Sequence, residues 1–173
     1  MTTLIAIIGI GIFCLLAEIM NLKKIIIPVS IVSLMALFGL NITGQLPEIT
    51  GYESMIEVNK FSVAFSSLFI LLTALLILMS APSYAKSSKL SDFISIKVFM
   101  LSGAVAMVSF SNMAMFFLGI EVLSIGLYVL AGSDRLNIKS NEAGMKYFLM
   151  GSFASGILLF GITMLYGATG TFD

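Results

Sequence analysis

The sequence predicts an all-α, multi-pass membrane protein with six transmembrane helices, on three observations. Of its 173 residues, 59% are hydrophobic and only 10% charged, giving a mean hydropathy of +1.10; a soluble domain of this size carries far more charge. Six stretches reach the length, about 20 residues with a range near 17–25, that crosses the hydrocarbon core as a helix: Leu4–Met20, Ile25–Ile42, Phe61–Ala81, Phe93–Phe110, Met113–Gly132 and Ala143–Gly167. The third observation is that charge alternates from one connector to the next.

Each stretch has its own punctuation. The first resembles a signal peptide in length, but it lacks a Lys/Arg-rich start. Glu18 and Asn21 also stand where a small-residue cleavage site is expected. It is therefore read as a retained helix, with Glu18 pairing at the interface with Lys23 and Lys24. Pro28 is expected in the first turn of the second helix, where a missing N–H costs little. Pro82 is expected to close the third. Ser140 and Asn141 are candidate caps for the sixth, with Glu142 at its positive end. In that helix Gly151 with Ser155, and Ser152 with Gly156, fit the small-xxx-small spacing that lets helices approach closely.

The connectors after helices one, three and five hold Lys23 and Lys24, Lys86 and Lys89, and Arg135 and Lys139, six of the nine basic residues. The connector between helices two and three carries Glu48, Glu53 and Glu57. By the positive-inside rule the three basic connectors face the cytoplasm and both termini face outward. Lys60 flanks the third helix. Lys97, near Asp92 and Ser95, is read as a structural lysine that snorkels to the interface.

Several chemistries are excluded. His is absent and Cys14 is the lone cysteine, so neither a disulfide framework nor a Cys/His metal site is available. A net charge of zero gives no basic patch for nucleic acid. Gly9 and Gly11 lie inside a membrane span without a βαβ context, so they are no dinucleotide fingerprint. The Asn41-Ile42-Thr43 sequon carries little weight without a secretory context. Without a nucleophile–base pair, phosphate loop or haem ligand, no catalytic residue and no redox cofactor is expected on this chain.

What remains is Glu121, the single charge between Met113 and Gly132. Placing a carboxylate at that depth costs roughly 2.5–3.5 kcal/mol on insertion scales, and such groups pair, line a wet cavity or move protons. At helical spacing it shares a face with Ser124 and Tyr128, a polar stripe that lipid cannot satisfy. The functional reading is a proton-accepting or ion-pairing carboxylate governed by a nearby cation. The plain alternative is a carboxylate held by a hydroxyl for packing. Lys146 lies about 6 Å into the predicted sixth helix at 1.5 Å per residue. It is equally read as part of a polar path or as a partner of Glu142 one turn back.

Two segments resemble a known family. Phe117-Leu118-Gly119-Ile120-Glu121-Val122-Leu123-Ser124 and Ser140-Asn141-Glu142-Ala143-Gly144-Met145-Lys146-Tyr147-Phe148 are similar to the fifth and sixth helices of subunit N of NADH-quinone oxidoreductase, respiratory complex I. Gly151 through Gly156 and Tyr166 through Gly170 continue the match, about sixty residues from Asn112 onward. Residues 1–111 fit only in helix count and hydrophobicity. Related subunits and multi-subunit sodium/proton antiporters usually place Trp before the glutamate, where this chain has Ile120.

The resemblance implies residues 1–92 as three leading helices, and 93–173 as the start of an incomplete antiporter-like proton-translocation repeat. The chain is accordingly expected to be an amino-terminal part of a longer subunit. Glu121 would be the glutamate that pairs with a lysine on a later, broken helix and passes protons along a mid-membrane polar chain. Lys146 would be an auxiliary member, with Ser124 and Tyr128 as polar-path support. The partners would be other membrane-arm subunits, which would hold the NAD, FMN, iron–sulfur clusters and quinone. The setting would be a bacterial plasma membrane. An antiporter subunit without redox drive and a non-conducting scaffold are the alternatives.

Overall fold

The computed structural model describes residues 1–19, 23–45, 47, 51, 54–84 and 90–172. The side chains of Glu18, Lys23 and Lys24, on which the expected interfacial pairing rests, lie outside this description, as do Lys86, Lys89, Glu48 and Glu53. Six helices follow one another: α1 Thr2–Ile19, α2 Lys23–Thr43, α3 Lys60–Tyr84, α4 Leu90–Val108, α5 Met113–Ala131 and α6 Ile138–Thr169. Five, α2 to α6, are long and apolar enough to cross a membrane, whereas the apolar stretch Thr2–Ala17 of α1 is shorter.

Helix α4 is central and packs against α1, α2, α3 and α5, while α6 packs on α5 alone. The core lies among the first four helices, with Ile7, Leu34, Ile70 and Val98 fully buried. Every helix except α4 exposes large hydrophobic side chains, so hydrophobicity does not mark the inner face. Small and hydroxyl residues mark it instead. Ser91, Ser95, Ser102 and Ser109 of α4 and its exit, Ser62, Ser66 and Ser67 of α3, and Ser30 and Asn41 of α2 are buried, while Leu72, Leu75, Leu76 and Met79 face outward. Lipid tails are as apolar as leucine, so close packing and hydrogen bonds, rather than water exclusion, select the inner face. Some of these serines bond to their own helix, Ser95 Oγ donating to the Ser91 carbonyl at 2.9 Å and Ser67 Oγ to that of Val63 at 2.8 Å, whereas the buried Ser91 Oγ has no hydrogen-bond partner among the described residues.

Two connectors meet at one end of the bundle. Ile56 bridges Phe110, Glu57 N donates to the Ser109 carbonyl, and Ser111 N donates to that of Met55, both at 2.9 Å. The end of α6 joins them, because Met113 N donates to the Phe172 carbonyl at 2.8 Å. Gly170, at φ 76°, closes α6 there with its N–H on the Tyr166 carbonyl. The expected alternation thus brings the α2–α3 connector, the α4–α5 connector and the carboxyl-terminal segment together.

The helix ends differ from expectation in three places. Helix α2 begins at Lys23, so Pro28 sits in the second turn, inside the helix. Helix α3 continues two residues past Pro82 to Tyr84; a proline removes only one backbone bond, and near a helix end few remain to lose. The cap of α6 is Asn137, whose side chain accepts from Lys139 N at 3.0 Å. Ser140 and Asn141 instead brace the incoming loop, with Ser140 Oγ donating to the Ala131 carbonyl and Asn141 Nδ2 to that of Arg135. Helix α6 therefore starts five residues before Ala143, and Lys146 lies about 12 Å into it rather than 6 Å.

Candidate functional site

Helix α5 carries the site. Asn112 caps it, its side chain accepting from Met115 N at 3.0 Å. One face is built for contact with α4. A Cβ at Gly119 would lie 2.8 Å from Met107 N, and one at Gly103 would lie 2.8 Å from both the Gly119 carbonyl oxygen and Leu123 N. The two backbones touch because neither helix has a side chain at the crossing. Gly126 continues this face against Met100 and Ile96.

At 100° per residue, Glu121, Ser124 and Tyr128 fall on the opposite side of α5 from Gly119 and Gly126. Tyr128 turns toward α6, its ring edge-on to Tyr147 at 5.0 Å and Phe148 at 5.9 Å, with its hydroxyl against Gly151. The helices run antiparallel, with Gly132 beside Gly144, Tyr128 beside Gly151 and Met113 bonded to Phe172. That register sets Glu121 beside the part of α6 around Leu158 and Ile162. Glu121 Oε1 is buried there without a hydrogen-bond partner, although the residue as a whole is half-buried. A buried carboxylate oxygen left unsatisfied costs more than a neutral group would, so it marks a place where a cation, water or proton is required.

The other expected site residues are placed as follows. Ser124 shares the Glu121 face, but no hydrogen bond joins Glu121 to Ser124 or Tyr128 among the described residues. Lys146 Nζ donates to Glu142 Oε1 at 2.5 Å, the two side chains being 70% and 57% exposed. On α6 these two lie across the helix from Gly144 and Gly151, which face α5. The structure therefore does not bring Lys146 to Glu121 within this chain.

Lys97 reaches across to α3, where Nζ donates to Ser80 Oγ at 2.6 Å. The small-residue pattern of α6 also divides. Gly151 receives the Tyr128 ring, whereas a Cβ at Gly156 would meet nothing within 4 Å. The closer crossing, Gly103 on Gly119, leaves no spacing signal in the sequence because the two glycines lie on different helices. Among the described residues no group of three His, Cys, Asp or Glu is placed to hold a metal ion.

Comparison with known proteins agrees with this architecture. Residues 110–173 match the family described as NADH:quinone oxidoreductase/Mrp antiporter, TM. NADH-quinone oxidoreductase subunit N of Flavobacterium johnsoniae is 65% identical over 100% of this chain and 38% of its own length. The subunits N of Flavobacterium psychrophilum and Cytophaga hutchinsonii, with the same coverage, are 62% and 41% identical. The likeness thus extends through residues 1–111, beyond the block from Asn112 onward that carried the resemblance. A chain of respiratory complex I from Thermus thermophilus with bound aureothin superposes with a TM-score of 0.78 and 22% identity, covering 98% of this chain and 38% of that one, and so shares the fold. The chain spans about two-fifths of the length of these relatives, and it belongs to the NADH-quinone oxidoreductase subunit N family, as a multi-pass membrane protein with an antiporter-like segment.

Proposed function

We propose that this chain acts within a proton-translocating membrane-arm subunit of NADH-quinone oxidoreductase, in a bacterial plasma membrane with both termini outside. The observation that carries the reading is Glu121: a carboxylate oxygen buried without a partner, on an otherwise apolar helix, inside the segment that matches the antiporter-like family. A cation brought beside that oxygen favours its charged form, and withdrawing the cation favours proton uptake. Low dielectric makes the swing large, because two unit charges interact several-fold more strongly there than in water. A lysine supplied by another helix of the full subunit, as the resemblance implies, would be that cation. Ser124 and Tyr128 extend the polar face from Glu121 toward the end of the bundle that holds Arg135, and Lys146 serves as an auxiliary carrier whose counter-ion is Glu142. Electron transfer belongs to partner subunits, which hold the NAD, FMN, iron–sulfur clusters and quinone. This chain contributes the ion path alone.

The test is a native gel of gently solubilised membranes, stained for NADH dehydrogenase activity and probed with antibody to the 43–60 connector. Co-migration with a large NADH-oxidising band supports the assignment. Migration apart from that activity overturns it. A second reading, a subunit of a cation/proton antiporter, follows from the breadth of the matched family. Ile120 in place of the usual Trp speaks against it, and sodium-dependent exchange without NADH is its signature.

A further inference from the structure

Where the α2–α3 and α4–α5 connectors meet, a cavity of about 20 Å³ lies among α1, α2, α3 and the exit of α4. One buried water requires roughly 10–15 Å³, so the cavity has room for one and little more. Ser66 of α3, Asn41 of α2 and Ser109 just past α4 line it, at 4%, 7% and 7% exposure. Neighbouring hydroxyls are satisfied by backbone. Ser67 Oγ donates to the Val63 carbonyl at 2.8 Å, and Ser62 Oγ accepts from Asn59 N at 2.7 Å. Ser66 and Ser109 differ, because among the described residues neither hydroxyl makes a hydrogen bond. Asn41 uses one N–H on the Val63 carbonyl at 3.3 Å, which leaves its amide oxygen available. Three nearly buried polar side chains from three segments therefore converge on a space the size of one water.

We propose that this cavity holds one ordered water that bridges α2, α3 and the exit of α4. The water would donate to the Asn41 amide oxygen and exchange hydrogen bonds with the Ser66 and Ser109 hydroxyls. Three bonds is the usual number for a buried water. Size and chemistry select this occupant. The volume is far too small for an acyl chain, and no carboxylate lines the cavity to balance a metal cation. An apolar cavity stays dry, but this one offers both donors and acceptors, and leaving buried polar groups unpaired is costly. The α2–α3 connector covers the same place. Its Ile56 and Val58 line the cavity, and Glu57 N donates to the Ser109 carbonyl at 2.9 Å. Ser109 is thus gripped through its carbonyl by the connector and through its hydroxyl by the water.

The test is an electron cryo-microscopy map of the intact membrane assembly that contains this chain, sharp enough to resolve other buried waters. The expected result is one isolated peak about 2.5–3.2 Å from at least two of Ser66 Oγ, Ser109 Oγ and Asn41 Oδ1. An empty cavity in such a map would overturn the proposal without relying on any variant. Density continuous with a side chain that fills the space, such as that of Met1, would overturn it as well. A double-mutant cycle with Ser66→Ala and Ser109→Ala adds a second readout, by dodecyl sulfate titration of the full-length subunit in mixed micelles. The two hydroxyls share no direct hydrogen bond among the described residues, so a bridging water should make their losses non-additive. The expected coupling is about twofold or more in the unfolding equilibrium, as for residues within one hydrogen-bond network. Strictly additive losses would contradict the bridge.

Discussion

Gly103→Ala tests the packing that positions Glu121, and its size follows from the crossing of α4 and α5. The added Cβ would lie 2.8 Å from the Gly119 carbonyl oxygen and 2.8 Å from Leu123 N. Both are backbone atoms, which cannot rotate aside as a side-chain end does. Ordinary van der Waals contact is nearer 3.4–4 Å, so the helices must separate by more than half an ångström along a long interface. Overpacking of this kind costs about 1–3 kcal/mol. Alanine also gains up to about 1 kcal/mol over glycine from helix propensity, which masks part of the loss. Gly156→Ala supplies the control, because it adds the same methyl to a helical glycine with nothing within 4 Å. The propensity gain is common to both, so their difference isolates the packing term at about 1–3 kcal/mol, a change of about five- to 160-fold in the unfolding equilibrium. Reversible titration of the full-length subunit with dodecyl sulfate in mixed micelles measures it. Equal midpoints for the two variants would refute the claim that α4 and α5 meet backbone to backbone.

Two further outcomes follow from local geometry. Asn112→Ala removes the side chain that accepts from Met115 N at 3.0 Å; it should destabilise the start of α5 by about 1 kcal/mol, read by the same titration, with Asn112→Asp retaining most of the stability. The Glu142–Lys146 pair is exposed and spaced i,i+4, so a double-mutant cycle with Glu142→Gln and Lys146→Gln should give a coupling of about 0.3–0.5 kcal/mol. A coupling of several kcal/mol would mean that the pair is shielded from solvent in the assembled protein.

Helix number and order were legible because crossing a bilayer demands length and apolar composition, and α2 to α6 meet that demand. The exact ends were less so. Nothing in an apolar run distinguishes Asn137 from Ser140 or Asn141 as the cap, and all three are good capping residues. The choice was made by tertiary contact, since Ser140 Oγ donates to the Ala131 carbonyl of the preceding helix. The inner faces were legible only through the wrong sort of residue for a soluble protein: the buried serines of α3 and α4 mark them, not the leucines. Glu121 stood out because a lone charge in a membrane span is conspicuous whatever surrounds it. Its burial without a partner required the fold, as did the placement of Lys146 on the far face of α6 and the reach of Lys97 to Ser80 on α3.

The most direct measurement of the central claim is NADH-driven proton uptake by inside-out membrane vesicles carrying Glu121→Gln. Peripheral NADH oxidation with an artificial acceptor is followed in parallel, and a native gel checks assembly. Glutamine preserves the size and much of the polarity of the side chain while removing its proton exchange. If Glu121 carries protons, uptake falls while NADH oxidation and assembly persist. Unchanged uptake in a correctly assembled variant would contradict the account and leave Glu121 a packing residue.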